Sequence, residues 1–328
     1  MKKTLVALAV AAVAATSANA AVVYDQDGSK VEVGGSLRLL LNKETDRKVD
    51  LKNAGSRLVV KGSQDLGSGL SALANVELRF EEKTDAKDDS SFGNVTTKRL
   101  YAGFKQDGVG TLTFGRQLTN GDDVQLGDYA YEYGGNNNVT GASNKSVKFR
   151  SDSFSGFSFG LDYLFGNAAK GNTGNTKNGY GAALFYTAGL AEGTTLNLNA
   201  GYTQDRLSTE KTSKTDSWRL AGELLVSDFG VAYNYGQTRA TENGEKQDKT
   251  TYHLVGLKYK LAAPSTVYGQ WKRESEGSDR VHTYLVGADY KLHKNVITFV
   301  EYANVRTKVE GEDNKKENKV AVGLRVFF

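Results

Sequence analysis

The chemistry this chain could do is concentrated in one stretch, Gln117–Asn138 (QLTNGDDVQLGDYAYEYGGNNN). It holds four carboxylates, Asp122, Asp123, Asp128 and Glu132, and no Lys or Arg. Asp128 and Glu132 lie four residues apart, so a single helical turn would put both on one side. Gly134-Gly135 then permits a sharp turn, because glycine accepts positive φ without steric cost. The sequence on either side carries Lys and Arg at alternate positions. An acidic loop facing a basic wall is the arrangement these residues predict, and its chemistry is electrostatic rather than covalent. Covalent catalysis would require a nucleophile beside a base. The three histidines do not supply one: His253 and His282 lie near strand ends and His293 at a turn, none in a Ser/Asp setting. The chain therefore reads as no enzyme. Nor does it contain metal-ligand spacing, a phosphate-cradling loop or a nucleotide fingerprint, so no metal and no cofactor is expected.

The elements that must position this loop begin after a leader. Lys2-Lys3, an apolar run from Leu5 to Ala15 and the small-x-small Ala18-Asn19-Ala20 predict a cleaved signal peptide over residues 1–20. Residues 21–328 then form one domain outside the cytoplasm. With 42 basic and 38 acidic residues, two of the lysines in the leader, the mature chain is nearly neutral, which argues against a nucleic-acid partner. There is no cysteine, one proline (Pro264) and 37 glycines. That balance suits a sheet whose ladders tolerate few missing N–H donors. The mean hydropathy of −0.47 does not decide solubility, because a barrel strand shows lipid only every second residue.

Period-two alternation recurs along the chain. Val31, Val33, Leu37, Leu39 and Leu41 oppose Glu32, Ser36 and Arg38, and Leu58 and Val60 oppose Arg57 and Lys61. Near the end, Val320, Val322, Leu324, Val326 and Phe328 oppose Ala321, Gly323 and Arg325. We count sixteen such strands, joined alternately by long polar loops and short tight turns. The fold class predicted is all-β: a 16-stranded antiparallel transmembrane β-barrel with long external loops and short periplasmic turns. Closure is a physical requirement, since an unpaired edge in hydrocarbon costs several kcal/mol per unsatisfied group. Tyr163, Tyr186, Tyr202, Tyr233, Tyr259, Tyr290, Trp218 and Phe328 fall on the apolar faces near strand ends, where a ring with a polar tip suits the headgroup boundary. A soluble sandwich is the competing fold, but it rarely needs so many strands of this length.

Several segments, in order, resemble the general diffusion porins of Gram-negative outer membranes. They are AVVYDQDGSKVEVGGSLR (Ala21–Arg38), GSRLVVKGSQDLG, VGTLTFGR (Val109–Arg116) followed by a loop ending Tyr-Glu-Tyr-Gly-Gly, NYGQTR (Asn234–Arg239), VGADYKLHKNVITFVEY (Val286–Tyr302) and the terminal Phe. The resemblance implies that the third loop, about residues 117–138, folds into the barrel and narrows the channel. It matches Glu132 and Asp128 to the loop carboxylates, and Arg57 and Lys98 to basic wall positions. Lys148 and Arg150 stand near a wall arginine that has no counterpart at Ala142, and Arg38 near the first-strand position held by Ser36. The candidate channel charges are thus Asp122, Asp123, Asp128 and Glu132 facing Arg38, Arg57, Lys61, Lys98, Lys148, Arg150 and Arg325.

The resemblance further implies a homotrimer, with the second loop latching onto a neighbour. Strand parity puts Arg116 on the outward face, where pairing with an acidic residue of a neighbour's Glu82–Thr96 loop would account for it. It also implies Phe328 as an assembly signal read by the barrel-assembly machinery, contact with outer-membrane lipids and lipopolysaccharide, and passage of small hydrophilic solutes and ions. The function expected is passive diffusion sorted by size and charge. An adhesive or structural barrel acting through its external loops is the alternative.

Overall fold

A computed structural model describes residues 20–81, 92–166, 175–208, 212–261 and 264–328; the segment expected to be a leader, apart from Ala20, lies outside the described residues. The first quarter of the chain gives strands β1 (Ala21–Gln26), β2 (Ser29–Glu44), β3 (Asp50–Asn53), β4 (Ser56–Gly67) and β5 (Leu70–Glu81). Around the acidic loop come β6 (Asn94–Gln106), β7 (Gly110–Leu118), β8 (Ala142–Ser151) and β9 (Phe157–Phe165). Long hairpins follow: β10 (Asn175–Ala191), β11 (Thr194–Ser208), β12 (Thr212–Val226), β13 (Phe229–Glu242) and β14 (Glu245–Lys260). The chain ends with β15 (Ser265–Glu276), β16 (Asp279–His293), β17 (Val296–Lys308) and β18 (Lys315–Phe327).

Sixteen of these, β2 and β4 to β18, are the staves of a closed antiparallel barrel, and each coincides with one of the sixteen strands expected from alternation. The two further strands are short. β3 caps the outer end of β2, and β1 completes the last stave. Residues Ser36–Glu44 of β2 pair with β18, while Ser29–Val33 pair with β1. Gly35 bridges the junction, donating to and accepting from Phe328 at 2.7 and 3.1 Å. The closing stave is therefore built from both ends of the chain.

Alternation sorts the side chains as expected. Leu37, Leu41, Leu100, Phe114, Leu161, Leu220, Val286, Val322 and Leu324 are exposed on the outer wall. Tyr186, Tyr202, Tyr233, Tyr259, Tyr290 and Phe328 are exposed on the same face, and Tyr163 and Trp218 share it. The interior is less uniformly polar than alternation suggests. Leu40, Phe299 and Ala321 form one inward apolar cluster, and Tyr268, Leu285 and Ala303 another, both packed against tyrosines of the acidic loop. These inward aromatics are covered by the loop.

The junction at Gly35 admits no side chain. A Cβ there would lie 2.5 Å from the Arg57 carbonyl oxygen and 2.8 Å from the Phe328 ring. Gly35→Val should therefore cost about 1–3 kcal/mol of overpacking. The measurement is the urea midpoint of the purified barrel followed by its heat-modifiable mobility, and an unchanged midpoint would contradict this account of closure.

Candidate functional site

The loop between β7 and β8 lies inside the barrel because its hydrogen-bonding groups are satisfied there. A 3-10 turn at Asn120–Val124 packs on β8 to β12. The Asn120 amide and side chain both donate to Asp162 of β9, at 2.9 and 3.0 Å. Further on, Leu126 N–H donates to Asn234 Oδ1 on β13 (3.0 Å), and Gln270 of β15 donates to Asp128 Oδ1 (2.8 Å). The Glu301 carboxylate on β17 then accepts three successive backbone donors, from Tyr131, Glu132 (3.1 Å) and Tyr133 (3.0 Å). On the return, Lys272 Nζ donates to the carbonyls of Tyr133, Gly134 and Gly135 at 2.7–3.0 Å. The buried Arg219 holds Asn136 and Asn138.

The three alternate tyrosines act as pins. Tyr129 donates to Glu223 (2.7 Å), Tyr131 to Asp289 (3.0 Å) and Tyr133 to Asn42. Tyr131 also stacks on Phe299 at 4.7 Å, beneath the Arg325 guanidinium. Burial beside these carboxylates pushes the Tyr129 and Tyr131 hydroxyls up, so both stay protonated and donating. The loop could not seat so closely on an ordinary wall. At Gly160, Gly201, Gly236 and Gly256, all inward positions, an added Cβ would collide with Asn120, Val124, Asn138 and the Gly127 carbonyl respectively.

The expected helical turn joining Asp128 to Glu132 is absent: the loop's one regular turn is Asn120–Val124. The N–H groups of residues 131–133 are spent on Glu301 instead of helical carbonyls, and the two carboxylates point to different regions. Asp128 is exposed beside Gln125, Gly135 and Asn136, in a polar recess of about 420 Å³. Glu132 lies towards Lys52, Glu301, Arg325 and Glu44, and burial inside the barrel raises its carboxyl. Asp122 is solvent-accessible but deep in the barrel. Desolvation and neighbouring Asp123 push it up to about 6, against Arg99, Lys148 and Arg79.

The basic residues divide into two groups. Arg38 and Arg57 lie on the inner face of β2 and β4, on the wall the loop leaves open, and Lys148 and Arg150 on the inner face of β8, where the start of the loop meets that wall. Arg150 reaches Asp123 (3.3 Å) and lies 3.4 Å over the Phe185 ring, while Lys148 donates to the Leu118 carbonyl (3.2 Å). Lys61 faces inward on β4, opposite Glu32 and Asn75 and away from the loop. Lys98 sits in a bulge of β6, and Arg99 is the residue paired with Glu77. Arg325 is on the loop's own side, donating to the Tyr131 carbonyl at 2.7 Å. Arg116 is exposed on the outer face and has no ion-pair partner among the described residues; most of the Glu82–Thr96 loop expected to meet a neighbour lies outside them.

Sequence reasoning missed a centre on the open wall. Glu77 of β5, buried, binds Arg57 (3.4 Å), Arg79 (2.9 Å) and Arg99 (3.0 Å) together. Glu77 and Arg79 are inward by alternation, and so is Arg99 on the parity of Tyr101, but the resemblance pointed to its neighbour Lys98, which occupies the bulge. One carboxylate among three guanidiniums fixes them in place and leaves the cluster positive.

A closed sixteen-stranded barrel, apolar outside and charged within, with a loop lashed across its interior, is a channel of the outer membrane. The chain belongs to the Gram-negative porin family, whose model matches residues 7–310. It is 43% identical over 348 residues to a major outer membrane protein of Pasteurella multocida, covering 100% of both, and 42% identical over 353 residues to that of strain Pm70. Solved structures share the fold at lower identity. The anion-selective porin from Comamonas acidovorans has a TM-score of 0.75 at 18% identity, covering 92% of this chain and all of that one. OmpF of Salmonella typhi, solved with daunomycin, gives 0.74 at 17%, covering 93% and 99%. The trimer form of Vibrio cholerae OmpT gives 0.72 at 17%, covering 92% and 100%.

Glu301 is the loop's central anchor. Glu301→Gln replaces one acceptor oxygen by a donor and removes the charge, at a cost of about 2 kcal/mol in charge-assisted bonds. Amide exchange at Tyr131–Tyr133 should accelerate by roughly thirtyfold while exchange in the strands stays slow. Equal protection in wild type and variant would remove Glu301 from this role.

Proposed function

We propose that this porin sorts ions and small hydrophilic solutes by size and charge at the gap between the seated loop and the open wall. The supporting observation is the opposition of unlike charge across that gap. Asp122 lies within electrostatic reach of Arg79, Arg99 and Lys148, and the loop is fixed from behind by Lys272, Arg219 and Arg325. No bond is made or broken. A water-filled path lowers the barrier to crossing, and fixed charge in a narrow low-dielectric slot orients water and dipolar solutes. Asp122, Asp123, Asp128 and Glu132 supply the negative side. Arg38, Arg57, Lys98, Lys148 and Arg150 supply the positive side, with Arg79 and Arg99 beside them. Lys61 tunes the mouth below, and Arg325 holds the loop.

On this reading residues 1–20 are cleaved, and three copies associate through the outer face of β2 to β7. That face carries exposed Leu37, Leu41, Val60, Leu100, Phe104 and Phe114 with Arg116, and no outward Tyr or Trp. Elsewhere the outer wall is ringed by tyrosines. An apolar face without amphipathic rings suits a protein neighbour better than a headgroup boundary. Phe328, at the closing junction, is where the assembly machinery would read completion.

Two electrical measurements test the sorting. Asp128→Asn with Glu132→Gln preserves acceptors while removing charge, so folding should be unchanged and the anion-to-cation permeability ratio should rise roughly twofold. An unchanged zero-current potential in a salt-gradient bilayer discards the assignment, and a silent barrel would instead favour a role for the external loops. Asp122 gives a pH signature. Its raised pKa means the carboxyl is ionised at about pH 7.5 and largely neutral at about pH 5, so acidification should shift selectivity towards anions with a midpoint near 6. Asp122→Asn should abolish that midpoint; its survival in the variant would assign the titration to another group.

A further inference from the structure

The outer wall carries a row of arginine, lysine and histidine side chains that the channel does not use. Cross-strand register places His253 of β14 opposite Arg273 of β15, Arg273 opposite His282 of β16, His282 opposite Arg306 of β17, and Arg306 opposite Lys316 of β18. All five share the outward parity of exposed Tyr259, Tyr284, Val286, Tyr302 and Leu324. One rung further out, Arg280 faces Lys308. Arg273, Arg280 and Arg306 all lie within electrostatic reach of His282. Neither rung has an outward carboxylate on β14 to β18, and no ion pair neutralises Arg273, Arg280, Arg306, Lys308 or Lys316 among the described residues. The Nε of Arg273 is shielded and finds no acceptor there.

Arg306 opposite Lys316 and Arg280 opposite Lys308 are like charges facing one another, which destabilises a sheet unless a countercharge is supplied, and these rungs offer one only from outside the barrel. The row's depth says from where. The next rung inward pairs Trp271 with Tyr284, the rings that mark the membrane boundary, and Arg306 lies 5.2 Å over Tyr284. A rung is two residues, about 7 Å, so the cations sit at headgroup level on the external side. Beside Arg273 and His253 a shallow groove of about 760 Å³ runs down the outer wall, floored by Leu198, Leu220, Tyr233 and Tyr235.

We propose that this surface seats one lipopolysaccharide molecule of the outer leaflet, its phosphates on Arg273, Arg280, Arg306 and Lys316 and one acyl chain in the groove. A spread of cations above an apolar groove fits a headgroup with more than one phosphate and several chains better than a lipid with one phosphate. Its arginines stand on β15 to β17, outside the β2 to β7 face, and all its cations are on the outer wall and not in the lumen, so the site stands or falls independently of the sorting mechanism.

The test uses the full barrel, wild type and Arg273→Gln/Arg280→Gln/Arg306→Gln, purified in detergent and titrated with lipopolysaccharide while thermal unfolding is followed. Wild type should gain stability and the variant should need at least about tenfold more lipid for the same gain, since each interfacial cation contributes to anionic-lipid attraction. Dephosphorylated lipopolysaccharide, phosphatidylglycerol and inorganic phosphate should each stabilise wild type less. Equal titrations for wild type and variant, or equal effects of phosphatidylglycerol, overturn the proposal. If the triple variant fails to fold, Arg273→Gln alone is compared with Arg273→Lys, which should retain binding; equal loss in both also overturns it. Single-channel conductance on the same preparations should not change, which separates failure here from failure of the channel reading.

Discussion

Backbone hydrogen bonding in a medium without water governs this molecule. Every N–H and C=O at hydrocarbon depth must find a partner within the protein, and the only arrangement that does so for sixteen antiparallel strands is a ring. The same demand explains the loop. A segment crossing the interior carries its own polar backbone, and the wall answers with Glu301, Lys272, Arg219, Asp162 and Asn234, each aimed at main-chain groups. The loop is thus an extension of the barrel's bonding pattern in which side chains stand in for a neighbouring strand.

Charge has two separate duties inside the ring. Asp162 on β9 and ionic groups on β12 to β18 hold the loop, and Lys148 and Arg150 of β8 touch its first part. Those on β2 to β6 stand on the wall opposite, where buried Glu77 orders three arginines without cancelling their sum. On the proposed mechanism this division separates the residues that sort solutes from those that shape the gap.

Most of the fold was legible because alternation is a direct consequence of having lipid on one side and water on the other. All sixteen staves were visible, from Leu37–Leu41 to Val320–Val326. The loop's inward path was legible only through resemblance. Its structural cause is glycine at Gly160, Gly201, Gly236 and Gly256, a signal present in the sequence but recognisable only once register shows that all four face inward. Arg99 was passed over for Lys98, because a bulge at Lys98 shifts parity by one without leaving a compositional trace and the resemblance could not show which of the two neighbours faces Glu77. Arg325 read as open wall because parity reports which face a residue occupies and not which part of the circumference. The helical turn from Asp128 to Glu132 failed because spacing alone cannot foresee a carboxylate 170 residues away capturing the amides.

The seam at Gly35 has a temporal meaning. Because β2 pairs with β1 at one end and with β18 at the other, the ring stays open until the stretch ending at Phe328 exists. Nothing upstream can substitute for it. Until that stretch is seated the sheet has two free margins, and unpaired strand edges invite association with other chains. Whatever shields those margins has to act until Gly35 and Phe328 have met.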